Sequence, residues 1–280
     1  MATQDPASGS KPAHHPPVLF LHANGFPTGA YRRFLDALAP HRTVIAPQVI
    51  DTPAASRASR RWPQMVEQVQ GLIAEAIDTH GAVSLVGHSM GGYLALIAAA
   101  RQRAAIDSIV LLDSPLVTGW RGTLFGAMRT TGLTRHGGPA PIAARRRFAW
   151  ATRTQAREHF ESKSFARRWA PGVLDDFLDH GLRDDPVHGV SLRVAREIER
   201  DIYANLPAGK ALRAFRQLRG HGVPIHMIAG RYSAETRLAG REGGRRLFGP
   251  RWHEIDGGHL VPMEQPEALA ARVLEALAAG

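Results

Sequence analysis

Short apolar runs alternating with stretches of helical period constrain this chain more than any other feature. PVLFLH (17–22), TVIAP (43–47), AVSLVG (82–87), SIVLLD (108–113), VPIHMIAG (223–230) and RWHEI (251–255) are each four to eight residues long and stopped by loop residues. Between them lie helical spacings over 28–40, 62–79, 89–102 and 235–248, with a closing segment over 264–279. In 62–79, Met65, Val66, Val69, Leu72, Ile73 and Ile77 fall on one face, and Pro63 suits a first helical turn. Near-continuous apolar strands that take turns with helices predict a mostly parallel sheet covered on both faces. Six such strands are expected.

From Pro115 to about Gly222 the alternation stops. Amphipathic pieces such as VLDDFLDHGL (173–182) and VAREIERDIYANL (194–206) fill the gap. The stretch is too long for a crossover loop and predicts an inserted, mainly helical cap. The expected organisation is therefore a flexible tail over 1–17, a core over 18–114 and 223–280, and a cap over 115–222. The charge follows this division. Of 35 Lys/Arg and 25 Asp/Glu, the segment 115–222 holds 19 and 10, so nearly all of the net +10 sits there. A basic cap predicts a bias toward anionic substrates or surfaces. The charges are not interleaved with stacking aromatics, so no nucleic-acid partner is expected.

Zero cysteines exclude a disulfide scaffold, an iron–sulfur centre and a thiol nucleophile. They are compatible with a reducing, cytoplasmic setting. No apolar run reaches the roughly 18 residues of a membrane span, and residues 1–17 lack the apolar core of a signal peptide.

Gly87-His88-Ser89-Met90-Gly91-Gly92 joins the third strand to the third helix. A serine there sits on a turn so sharp that the residues two before and two after must lack bulk, which Gly87 and Gly91 satisfy. Such a turn pushes Oγ out at the carboxyl edge of the sheet, beside a helix N-terminus. Fourteen histidines make histidine alone uninformative. His259 is distinguished by its context: Gly257-Gly258-His259 follows the last strand, on the same rim as Ser89, where an imidazole can shuttle a proton. Asp113 ends the fourth strand on that rim.

Three blocks in this order, FLHANGFP (20–27), GHSMGG (87–92) and GGHLVPMEQPE (257–267), give a sequence that resembles the α/β-hydrolase superfamily over nearly all of the chain after residue 17. The resemblance implies a serine hydrolase with Ser89 as nucleophile and His259 as base. It also implies an oxyanion hole formed by the backbone N–H of Met90 and, by matching Asn24-Gly25-Phe26-Pro27 to the family's His-Gly-x-Pro loop, that of Phe26. Asn24 and His88 fall beside the substrate pocket, Asn24 as an added donor or loop brace and His88, like His22, near the rim in a packing or loop-bracing role. The sequence departs from the family pattern at the acid. The usual Gly-x-x-Asp after the fifth strand reads Gly230-Arg231-Tyr232-Ser233, with Glu235 two residues on. Asp113 and Glu235 therefore stand as rival acids. Glu264 is expected to brace a loop or helix start.

The expected reaction is cleavage of a carboxylic ester or related acyl bond through an acyl-enzyme at Ser89, without metal or cofactor, on a small-molecule substrate. The same machinery also serves C–C bond, lactone and amide hydrolysis. A non-catalytic ligand-binding member of the fold is the other alternative.

Overall fold

The computed structural model describes residues 15–53, 55–102, 105–120, 122, 124, 127, 131, 133–135 and 139–279. Most of the expected N-terminal tail lies outside them. Six strands form one all-parallel sheet: β1 (Val18–Leu21), β2 (Val44–Ile45), β3 (Val83–His88), β4 (Ile106–Leu112), then β8 (Ile225–Gly230) and β9 (Trp252–Ile255), in the order β2-β1-β3-β4-β8-β9. β1, β3 and β8 are buried along their whole length, as strands covered on both faces must be. Helix α1 (Arg32–Leu38) follows β1, α2 (Ala58–His80) follows β2, and α3 (Met90–Gln102) follows β3. Register sets the site. Leu112 of β4 lies opposite His88 of β3 and Ile228 of β8, so the residues just past those strand ends gather on one rim.

α2 starts four residues earlier than its periodicity predicts, which leaves Pro63 inside the helix. Tertiary contacts hold the turn that proline weakens. Arg61 donates to Thr52 Oγ1 and pairs with Asp201, while Trp62 Nε1–H donates to the Ile202 carbonyl.

Between β4 and β8 come α4 (Pro139–Arg145), strand β5 (Ala149–Trp150), α5 (Arg153–Glu161), α6 (Val173–Gly181), strands β6 (Leu182–Asp185) and β7 (Gly189–Leu192), α7 (Arg196–Ala204) and α8 (Ala208–Gly220). The strands make a small antiparallel sheet, β5-β7-β6, which the sequence reading did not anticipate. They are only two to four residues long, too short to show a period. α8 packs against α3 on the face of the main sheet, as a crossover helix does. Beyond β8, the helix expected over 235–248 is two, α9 (Ala234–Ala239) and α10 (Arg241–Phe248), divided at Gly240 with φ 101°. The short α11 (Val261–Glu264) and α12 (Pro266–Ala278) close the chain.

Two apolar cores flank the sheet. One joins it to α2, α3 and α8 through residues such as Val69, Leu96 and Phe215. The other joins it to α1, α12 and the inserted segment through Phe34, Val273 and Phe177. Among the described residues no helix is long and apolar enough to cross a membrane.

Candidate active site

Ser89 lies between β3 and α3 at φ 51°, a left-handed conformation that L-residues adopt only when the surroundings enforce it. Its N–H is held by the Leu112 carbonyl at 3.0 Å. The turn depends on its glycines. A Cβ on Gly91 would run into the Leu21 carbonyl, and one on Gly87 into the backbone of Gly91 and Gly92.

Ser89 Oγ–H donates to His259 Nε2 at 3.1 Å, and His259 Nδ1–H donates to Asp113 Oδ2 at 2.6 Å. The sequence left Asp113 and Glu235 as rivals. The structure puts Asp113 in direct contact with His259 and Glu235 Oε2 at 3.8 Å from the same nitrogen. Asp113 is itself strained, at φ 38°, and wholly buried. Besides His259 it accepts from Gly230 N–H at 2.9 Å, Ser233 Oγ–H at 2.5 Å and Thr236 Oγ1–H at 2.9 Å. Burial by itself would raise its pKa. The hydrogen bond and charge of His259, with the Ser233 and Gly230 donors, hold the carboxyl below its ordinary value. His259 shows the converse balance. Burial works to lower its pKa, but the bond and charge of Asp113, with Glu235 and Glu264 adding, raise it above the ordinary imidazole value.

His88, expected near the rim beside the pocket as a packing or bracing residue, is fully buried and does not line the cavity. Its Nε2–H donates to the His259 carbonyl at 2.8 Å, so Nδ1 accepts from Tyr31 Oη–H at 2.7 Å. Tyr31 Oη in turn accepts from Ala23 N–H at 3.0 Å. Three loops of the site are thus tied through two buried side chains. Burial, with the nearby His259 adding, pushes His88 down to about 3, so it stays neutral. Glu264 braces the same region, accepting from Gly258 N–H at 2.6 Å and pairing with Arg168 at 3.0 Å.

The oxyanion loop departs from expectation. Phe26 N–H is already used inside the loop, donating to the Ala23 carbonyl at 3.2 Å, and its ring packs on Trp169 and Phe177. It is not the available donor. Among the described residues, the N–H groups of Asn24 and Met90 have no hydrogen-bond partner, and both residues line the cavity with Ser89. The Asn24 side chain is fixed by donating Nδ2–H to the Glu199 carbonyl of α7 at 3.0 Å. His22, the first residue of the loop, is anchored by accepting Ile50 N–H at 2.6 Å.

The cavity over Ser89 has a volume of about 460 Å³ and is mainly apolar. Among the described residues no Lys or Arg lines it, so none of those described supplies a cation for the expected anionic bias. Asp113, Glu235 and His259 bring possible metal-ligating atoms within 4.8 Å of one another. The Asp113 oxygens and His259 Nδ1 are already committed to the hydrogen bonds above, so the set does not fit a resident cation.

Ser89, His259 and Asp113 thus form one hydrogen-bonded line at the rim of an open parallel sheet. The sequence profile of the alpha/beta hydrolase family matches residues 18–272, and the chain belongs to that family. A search of curated proteins gave no match. Solved structures share the fold at low identity. The thioesterase domain from the curacin biosynthetic pathway superposes with a TM-score of 0.68 at 20% identity, covering 93% of this chain and 91% of that one. The peroxisomal alpha-beta-hydrolase Lpx1 from Saccharomyces cerevisiae gives 0.69 at 16%, covering 96% and 79%. A thermophilic esterase from Thermogutta terrifontis gives 0.59 at 22%, covering 94% and 89%.

Proposed function

We propose that this hydrolase cleaves a carboxylic ester or related acyl bond of a small molecule through an acyl-enzyme at Ser89. The observation that carries the reading is the unbroken line from Ser89 Oγ through His259 to buried Asp113, at 3.1 and 2.6 Å.

His259 takes the Ser89 proton as Oγ attacks the carbonyl carbon. Asp113 keeps the proton of His259 on Nδ1, so that Nε2 is the basic nitrogen, and stabilises the imidazolium that forms. The oxyanion is received by the N–H groups of Met90 and Asn24. Met90 N–H lies at the start of α3, where the helix dipole favours negative charge. As the tetrahedral species collapses, His259 gives its proton to the leaving oxygen, which departs as the alcohol. Water, activated by the same imidazole, then attacks the acyl carbon and releases the acid. No step calls for a metal or cofactor. The inserted segment acts as a cap over the acyl site, and we place the reaction in the cytoplasm.

A panel of neutral esters and thioesters graded by acyl length tests this. Turnover should fall by roughly 10³-fold or more in Ser89→Ala and in His259→Ala, each of which disables a unit that acts as a whole. Wild-type turnover in either variant would refute it.

A further inference from the structure

One carboxylate at the cavity is not the acid of the proposed chemistry, although its charge adds to that of Asp113 on His259. Glu235 sits in the first turn of α9, where Ser233 caps the helix through its Thr236 N–H bond at 3.1 Å. It lines the cavity together with Ser89 and His259, and its side chain is about half exposed (49%). Its nearest polar neighbours are His259 Nδ1 at 3.8 Å and Ser233 Oγ at 3.4 Å, and the Ser233 proton is already given to Asp113. No described Lys or Arg pairs with it. Apart from His259, it is the one described side chain on the cavity wall that can carry charge.

The rest of the wall suits a cation as well. Trp62, Tyr93, Trp120 and Tyr203 all line the cavity. The polar ends of the two deepest rings are tied back: Trp62 Nε1–H to the Ile202 carbonyl at 3.0 Å, and Tyr93 Oη–H to the Pro115 carbonyl at 2.7 Å. What those rings offer a ligand is therefore ring carbon rather than a free hydrogen-bond donor. Aromatic groups and a single carboxylate in one cavity attract an alkylammonium group through cation–π and Coulomb terms, and a quaternary one best, because it has no N–H groups to desolvate.

Resting on the serine-hydrolase reading, we propose that Glu235 is a specificity-determining carboxylate that favours acyl substrates carrying an alkylammonium group and disfavours those carrying an anion. The charge of the described basic residues, none of which lines the cavity, does not contradict this. Its field is screened beyond about 8 Å at physiological ionic strength, whereas Glu235 acts at contact distance inside the cavity.

The test uses two matched ester series at about 0.15 M salt, in which a trimethylammonium group, its neutral tert-butyl isostere or a carboxylate is placed on the acyl arm or on the alcohol arm. In at least one series kcat/KM should favour the cation over the neutral ester by roughly threefold to tenfold, with the anion below the neutral ester. Glu235→Gln should bring the cation-to-neutral ratio within about twofold of unity, and Glu235→Lys should invert the order. As a readout on the unaltered protein, choline should inhibit competitively at lower concentration than 3,3-dimethylbutanol. Flat ratios in both series, a cation preference that survives Glu235→Gln, or equal inhibition by the two alcohols would each overturn the proposal. These outcomes differ from failure of the underlying reading, in which the neutral esters would not be turned over through Ser89 at all.

Discussion

Replacing Asp113 by Asn separates charge and tautomer from shape. The two oxygens of Asp113 are not equivalent. Oδ1 accepts from Gly230 N–H and Thr236 Oγ1–H, and Oδ2 from His259 and Ser233 Oγ–H. The hydroxyls can rotate and become acceptors, but Gly230 N–H cannot. An Asn amide group placed toward Gly230 would oppose donor to donor at 2.9 Å, so the oxygen must stay there and the NH₂ must face His259 Nδ1. That nitrogen must then accept, the imidazole proton moves to Nε2, and the base can no longer take the Ser89 proton. The loss should be about 10³–10⁴-fold in kcat, or about 4–5.5 kcal/mol of transition-state stabilisation. Steady-state kinetics on the best ester measures it, with circular dichroism to confirm that the variant folds. Glu235→Gln should cost far less on a neutral ester. An Asp113→Asn variant within tenfold of the parent, or a larger loss in Glu235→Gln, would refute the assignment of the acid.

Two further outcomes follow from the same geometry. Because His259 must be neutral to act as base and its pKa lies above the ordinary 6.5, kcat/KM for a neutral ester should fall as pH drops through a midpoint above 6.5; a pH profile with its acid limb centred below 6 would contradict this. Tyr31→Phe should lower stability by about 1–3 kcal/mol in urea denaturation, because it leaves Ala23 N–H and His88 Nδ1 without partners in a buried site, and an unchanged midpoint would mean the tie is not structural.

Much of this was legible in the sequence because the chemistry narrows the choice of residue. A sharp strand–helix turn needs Gly87 and Gly91, so Ser89 could be read from its neighbours. His259 was legible from its place after the last strand. The acid was not, since Asp113 and Glu235 reach the same imidazole and what separates them is 2.6 against 3.8 Å, a difference set by how β4 and β8 end together. The oxyanion loop was misread at Phe26 because a match to Gly-x-Pro cannot show that the Ala23 carbonyl takes that N–H. His88 was placed near the pocket rim from its position beside the serine, and alternation along β3 turns its side chain away from the cavity into the bracing role. The strands β5 to β7 are too short to carry a period, and the early start of α2 depends on Arg61 and Trp62 finding partners some 140 residues away.

The most direct measurement of the central claim is the site of covalent labelling by a fluorophosphonate, read by peptide mass spectrometry. An activated serine held by His259 should be labelled at Ser89, with labelling lost in Ser89→Ala and strongly slowed in His259→Ala. An unlabelled chain, or label on a different serine at the same rate in all three proteins, would contradict the account.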